Sequence, residues 1–350
     1  MEVQKVILAR PRGFCAGVEM AIKSLTWMVR VFEPPVYCYH EIVHNKVIVD
    51  RFRNLGVIFV DDISEVPKGA PVMLSAHGSA PELVAKAHAV SGITVNAVCP
   101  LVTKVHHEVK VRSQRGYSII YVGHKEHDEA IGTIAIAPES VTLIENEDQL
   151  VRIPDNLEPV AMINQTTLSL DEWAGIRELA ERKFPNLWMA SRSDLCFATT
   201  NRQLAIREIT TLADTVVVIG SANSSNTVAL EKTARRYGAR KVYRINHPSE
   251  LPSDINGIVG ITAGASAPED LVQAVVNRLN PKAGVQEICV TDEDEYFPPP
   301  PELRELLRAI SALVALTFLT PIGSDSPLDD DRSTSASDTL NDLRTASTIL

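Results

Sequence analysis

The chain has 350 residues, of which 45% are hydrophobic and 22% charged, a balance that suits a globular protein of two or three domains. Its formal net charge of −10 argues against a general nucleic-acid binder but leaves room for an anionic substrate held locally. No stretch has the apolar length of a membrane span and no signal-type apolar region opens the chain, so a cytoplasmic protein is expected.

In chain order, the apolar Val6, Ile7 and Leu8 predict a first strand. They lead into "RGFCAGVEMAI", after which Ala21, Ile22, Leu25, Met28, Val29 and Phe32 recur at helical spacing. Further strands are predicted at 71–76, 92–98, 117–123, 214–220 and 257–263, each an apolar run. Helical patterns follow at 81–90, 101–115, 171–183, 199–212, 226–237 and 268–279. Continuous apolar strands alternating with helices predict an α/β protein whose parallel sheets are covered on both faces. "SAHGSAPELV" and "TAGASAPEDLV" repeat one strand–loop–helix unit, with proline suited to the first helical turn.

Cys15, Cys99 and Cys196 fall at comparable intervals, and each stands just before a predicted helix. They divide the chain into three expected α/β domains, 1–98, 99–195 and 196–297, meeting at a common centre. A Pro-rich connector and tail cover 298–350. Within it the segment 302–319 is expected to dock as a helix, and residues from about 322 onward, rich in Ser, Thr and Asp, are expected to be disordered.

A thiol at a helix N-terminus meets the positive end of the macrodipole, which favours thiolate. Flanking Gly13 and Gly17 let the backbone approach a bulky object. Three such thiols suit an iron–sulfur cluster or zinc, and they are equally compatible with buried structural cysteines. Cys38 and Cys289 lie within strand-like runs and read as small core hydrophobes. His44, His77 and His127 lie in polar loops beside strands, where open α/β sheets hold ligands. "GSANSSN" and "AGASAP" offer hydroxyls, amides and helix N-termini, a cradle for an anion that needs no lysine. Read singly, each loop is equally an ordinary cap or turn. His40 and His124 adjoin these loops, whereas His88, His106, His107 and His247 read as structural or solvated. Glu129 could move protons if desolvated.

Assembled, "RGFCAGV", "EIVHN", "SAHG", "CPLVTKVH", "NQTTLS", "CFATTNRQ", "GSANSSN" and "TAGASAP" resemble the 4-hydroxy-3-methylbut-2-enyl diphosphate reductases of the methylerythritol phosphate route, from about Val6 to about Leu279. The resemblance implies three α/β domains around a central 4Fe–4S cluster held by Cys15, Cys99 and Cys196, with one iron open to the substrate's hydroxyl oxygen. It implies diphosphate contacts from His44, His77, Ser224, Ser225, Asn226 and Ser266, and a substrate-side His127. It further implies Glu129 as proton source and Thr166 as the residue orienting the hydroxyl. The products would be isopentenyl and dimethylallyl diphosphates, and the electron donor a ferredoxin or flavodoxin. One departure stands out: Asp128 replaces the family's usual proline, and it either repels Glu129 and raises its pKa or faces solvent. An iron–sulfur sensor would need only the cysteines. A zinc hydrolase is disfavoured because no compact pair such as HExxH occurs.

Overall fold

The computed structural model describes residues 1–190, 194–318 and 331–346. The first stretch runs β1 (Glu2–Arg10), α1 (Ala16–Val31), β2 (Val36–Tyr39), α2 (Lys46–Asn54), β3 (Val57–Val60), β4 (Pro71–Leu74), α3 (Pro81–Val90) and β5 (Ile93–Asn96). Next come α4 (Pro100–Gln114), β6 (Ser118–Val122), α5 (Asp128–Ile134), β7 (Val141–Ile144), α6 (Glu147–Val151), β8 (Val160–Asn164), α7 (Leu170–Lys183) and β9 (Trp188–Met189). The last stretch comprises α8 (Phe197–Thr210), β10 (Thr215–Ile219), α9 (Ser225–Arg236), β11 (Lys241–Ile245), β12 (Asn256–Ala263), α10 (Glu269–Leu279), β13 (Val285–Cys289), α11 (Pro301–Phe318) and α12 (Ala336–Ala346).

These strands form three all-parallel sheets, ordered β3-β2-β4-β5, β7-β6-β8-β9 and β11-β10-β12-β1-β13. Parallel sheets need apolar cover on both faces, and the residues supply it. Every residue of β10, "TVVVI", is buried, with Val217 and Ile219 in one apolar cluster and Val216 and Val218 in the opposite one. In α1, Ala21, Ile22, Leu25 and Met28 form the apolar stripe, and all are fully buried against the sheet β3-β2-β4-β5.

Numbered within itself, each of the first two sheets has the order 2-1-3-4. The third matches them when β1 serves as its fourth strand. This differs from the division expected at residue 98, because β1 leaves the 36–96 segment and pairs with β12 and β13. Its side chains Val6 and Ala9 are fully buried, so the strand needs neighbours on both edges and cover on both faces.

The repeated order sets the site. Fourth strands β1, β5 and β9 precede the helices α1, α4 and α8, whose N-caps are Cys15, Cys99 and Cys196. First and third strands flank the switch point of each sheet, where ligands collect. Their following loops carry His44 and His77, His127 and Thr166, and Ser224 and Ser266.

Beyond the sheets, α11 begins at the end of the Pro298–Pro301 run and buries Leu303 and Leu307 against the α1 core. The expected disorder is corrected over residues 331–346. There α12 buries Ala336 and Leu340 in the same core, and Lys23 Nζ donates to the Asp331 carbonyl at 2.6 Å. Ala336, Leu340 and Leu343 are spaced as one helical stripe, which outweighs the polar composition around them. Residues 322–330 lie outside the described residues. Cys38 is a core residue as expected, whereas Cys289 is exposed, because β13 is an edge strand and Cys289 ends it. No helix among the described residues is long and apolar enough to cross a membrane.

Candidate functional site

One cavity of about 100 Å³ gathers every residue proposed from the sequence. Cys15, Cys99 and Cys196 line it together with His44, His77 and His127, Glu129 and Thr166, and Ser224, Ser225, Asn226 and Ser266.

At the sulfur end the three cysteines cap their helices without any side-chain cap hydrogen bond, so their sulfurs are free to turn inward. A Cβ added to Gly17 would lie 2.7 Å from Cys99 Sγ and 4.0 Å from Cys15 Sγ, so two of the sulfurs converge where only glycine fits. The expected thiolates are corrected: burial pushes all three thiols up, Cys196 to about 12. Backbone N–H groups of each helix mouth act in the opposite direction and lose to desolvation. Thiols in this setting ionise only against a bound cation.

At the anion end, the His44 and His77 rings stack 3.8 Å apart at 8°, and His127 meets them edge-on. Both nitrogens of His44 and Nε2 of His77 are buried without a hydrogen-bond partner, although Glu41 Oε2 stands 3.6 Å from His44 Nδ1, and ligand oxygens would suit them. His77 and His127 are held neutral at pH 7 by loss of water and by neighbouring histidines, His127 down to about 3. Since Nδ1 of His127 accepts from the Glu129 backbone N–H at 3.2 Å, its proton is assigned to Nε2. Ser224 caps α9, Asn226 Oδ1 accepts from Ala265 N–H at 3.0 Å, and Ser266 Oγ donates to the His44 carbonyl at 2.9 Å. These bonds lock the third sheet's two loops to each other and to the His44 loop.

Between the ends, Glu129 is 2% exposed and its carboxyl pKa rises to about 7, chiefly through desolvation. Thr166 opposes that rise by donating its N–H to Oε1 at 2.7 Å and its hydroxyl to Oε2 at 2.9 Å. Asp128 neither repels Glu129 appreciably nor faces solvent. Its Oδ1 lies 2.9 Å from His40 Nδ1 and its Oδ2 3.7 Å from His44 Nε2, so His40 becomes its partner and is drawn toward the charged form.

Sequence reasoning missed Thr167 and Thr199, which line the cavity, and the apolar Val18, Val43, Leu101 and Val102 beside them. Thr199 stands three residues after the Cys196 cap, a spacing that points a hydroxyl back toward the helix mouth and was available as a signal.

Among the described residues, only His44, His77 and Asp128 bring ligand atoms all within 4.8 Å of one another. Parallel stacked imidazoles cannot both hold one ion in their ring planes at about 2.0 Å, which favours an anion there over a metal. The sulfurs of Cys15, Cys99 and Cys196 do not all lie within 4.8 Å of one another.

The profile described as LytB protein matches residues 6–280. A 4-hydroxy-3-methylbut-2-enyl diphosphate reductase of Rhodopirellula baltica is 46% identical over 314 residues, covering 87% of this chain and 97% of its own. One of the same name from Leifsonia xyli is 43% identical, covering 86% and 91%. The solved E-1-hydroxy-2-methyl-but-2-enyl-4-diphosphate reductase of Plasmodium falciparum superposes with a TM-score of 0.83 at 31% identity, covering 89% of this chain and 99% of its own. Matched over most of its length by that profile and by relatives covered nearly end to end, the chain belongs to the LytB family of 4-hydroxy-3-methylbut-2-enyl diphosphate reductases.

Proposed function

We propose that this oxidoreductase reductively removes the hydroxyl of 4-hydroxy-3-methylbut-2-enyl diphosphate, as the last step of the methylerythritol phosphate route. Two electrons and two protons enter, the C–O bond breaks, and water leaves with isopentenyl or dimethylallyl diphosphate. A ferredoxin or flavodoxin would supply the electrons in the cytoplasm. The observation that carries this reading is the meeting, in one cavity, of three cap thiols, a buried proton-holding carboxyl and a set of orphaned imidazole nitrogens.

Cys15, Cys99 and Cys196 would hold a 4Fe–4S cluster and leave one corner without a protein sulfur. When bound, that cluster supplies the electrons and a Lewis acid for a poor leaving group. The chain's own residues do the rest. His44, His77 and His127 donate to diphosphate oxygens, Ser224, Ser225, Asn226 and Ser266 close the opposite side, and together they fix the substrate's register. Val18, Val43, Leu101 and Val102 give the five-carbon chain an apolar wall that excludes water. Glu129, protonated near neutrality, donates from Oε2 to Thr166 Oγ1, 2.9 Å away, in the reverse sense to the bond it accepts when ionised. Thr166 gives its own hydroxyl proton to the departing oxygen.

The test is an anaerobic assay of iron-loaded protein with a reduced one-electron dye and the hydroxylated diphosphate. Dye oxidation matched by release of the two isomeric diphosphates is expected. Iron-loaded protein that leaves the substrate unchanged would overturn the proposal.

A further inference from the structure

Arg202 is the largest fully buried side chain among the described residues, and it lies outside the cavity just described. It sits on α8, the helix capped by Cys196, and reaches the loop between β1 and Cys15. Nε and Nη2 donate to the Gly13 carbonyl at 3.1 and 2.9 Å, and Nη2 donates to the Phe14 carbonyl at 3.2 Å. Nη1 donates to the Ala198 carbonyl at 2.9 Å and to both oxygens of Glu293 at 3.0 Å. Asn201, on the same helix, donates to Glu293 Oε1 at 3.0 Å, and the carboxylate offsets the guanidinium charge.

The loop it grips needs gripping. Gly13 has φ +68°, and a Cβ there would meet the Ala267 carbonyl oxygen at 3.2 Å, so the backbone makes a tight left-handed turn two residues before the thiol. A rigid planar fork with every N–H satisfied fixes three carbonyls and a carboxylate at once, more acceptors than the three donors of a lysine ammonium can serve. We propose that Arg202 is a positioning residue that fixes the sulfurs of Cys15 and Cys196 relative to each other, with Glu293 as its charge-compensating anchor. Its bearing on a cluster rests on the proposed function; its bearing on the thiols does not.

The experiment compares full-length parent, Arg202→Lys and Glu293→Ala. In reduced, iron-free protein, iodoacetamide labelling of Cys15, Cys196 and Cys99 is followed by peptide mass spectrometry. Arg202→Lys should raise Cys15 labelling relative to Cys99 at least about tenfold, because a locally opened loop exposes the thiol. Glu293→Ala, which leaves residue 202 intact, should raise it by a smaller factor and serves where Arg202→Lys fails to fold. In iron-loaded protein, Glu293→Ala should also raise the midpoint potential, since the guanidinium charge is left uncompensated. A Cys15 to Cys99 labelling ratio unchanged in the folded variants, or an unchanged potential, overturns the proposal. Failure of the parent to take up iron would instead count against the cluster alone, since the labelling comparison decides the clamp without it.

Discussion

The two ends of the central cavity suit charges of opposite sign. At the sulfur end, three thiols are stripped of water at helix mouths, and burial has pushed them all toward the neutral form. That end suits a cation. At the other, His44 and His77 present nitrogens without hydrogen-bond partners, and the neutral imidazoles of His77 and His127 stand where an anion would draw them toward protonation. That end suits an anion. The difference traces to topology. Segments after the fourth strands bring the three sulfurs, and those after the first and third strands bring the imidazoles together with Glu129 and Thr166.

The sharpest way to break this contrast is at Gly17, because its Cβ would stand 2.7 Å from Cys99 Sγ. Gly17→Ala should abolish iron uptake while inorganic diphosphate still binds, as read by iron analysis and calorimetry on one preparation.

At the junction, Glu129→Gln should leave iron content unchanged and cut turnover by roughly two orders of magnitude or more. The sign of the pH effect follows from a folded pKa of about 7, above the usual carboxyl value: the proton is present below that pH and lost above it. Turnover should therefore fall as pH rises through about 7, and stability should fall between the ordinary carboxyl range and about 7, because the unfolded chain sheds this proton first. Glu129→Gln should flatten both dependences, checked by a pH–rate profile and by melting curves from pH 5 to about 8.

On the anion end, Asn226→Ala removes the tie to Ala265 N–H and one cavity amide. Its KM should rise about 10- to 100-fold with little change in turnover, the worth of a hydrogen bond to a charged group. Farthest from either end, Leu340→Ala on α12 should lower stability by about 2–5 kcal/mol in chemical denaturation and leave KM unchanged.

Much of this was legible in the sequence, for local reasons. Runs such as "TVVVI" are apolar at every position because both sheet faces are covered, and a helical pattern begins directly after each of the three cap cysteines. The features that escaped depend on distance. That β1 completes the sheet of β10 to β13 is a pairing between chain segments roughly 250 residues apart, which no local pattern encodes. Whether the macrodipole or desolvation governs a thiol depends on burial, so the thiolate expectation for Cys15 gave way. The direction of Asp128 depended on where His40 would stand. In the tail, composition concealed the stripe of Ala336, Leu340 and Leu343.

The central claim is that Cys15, Cys99 and Cys196 serve one inorganic centre while Cys38 and Cys289 serve none. Five single Cys→Ser variants, reconstituted anaerobically with iron and sulfide and scored for bound iron, sulfide and brown absorbance, test it most directly. The account predicts loss of the centre and of turnover in Cys15→Ser, Cys99→Ser and Cys196→Ser, and parent-like loading in the other two. Full loading and turnover in Cys99→Ser, or loss of the centre in Cys289→Ser, would contradict it.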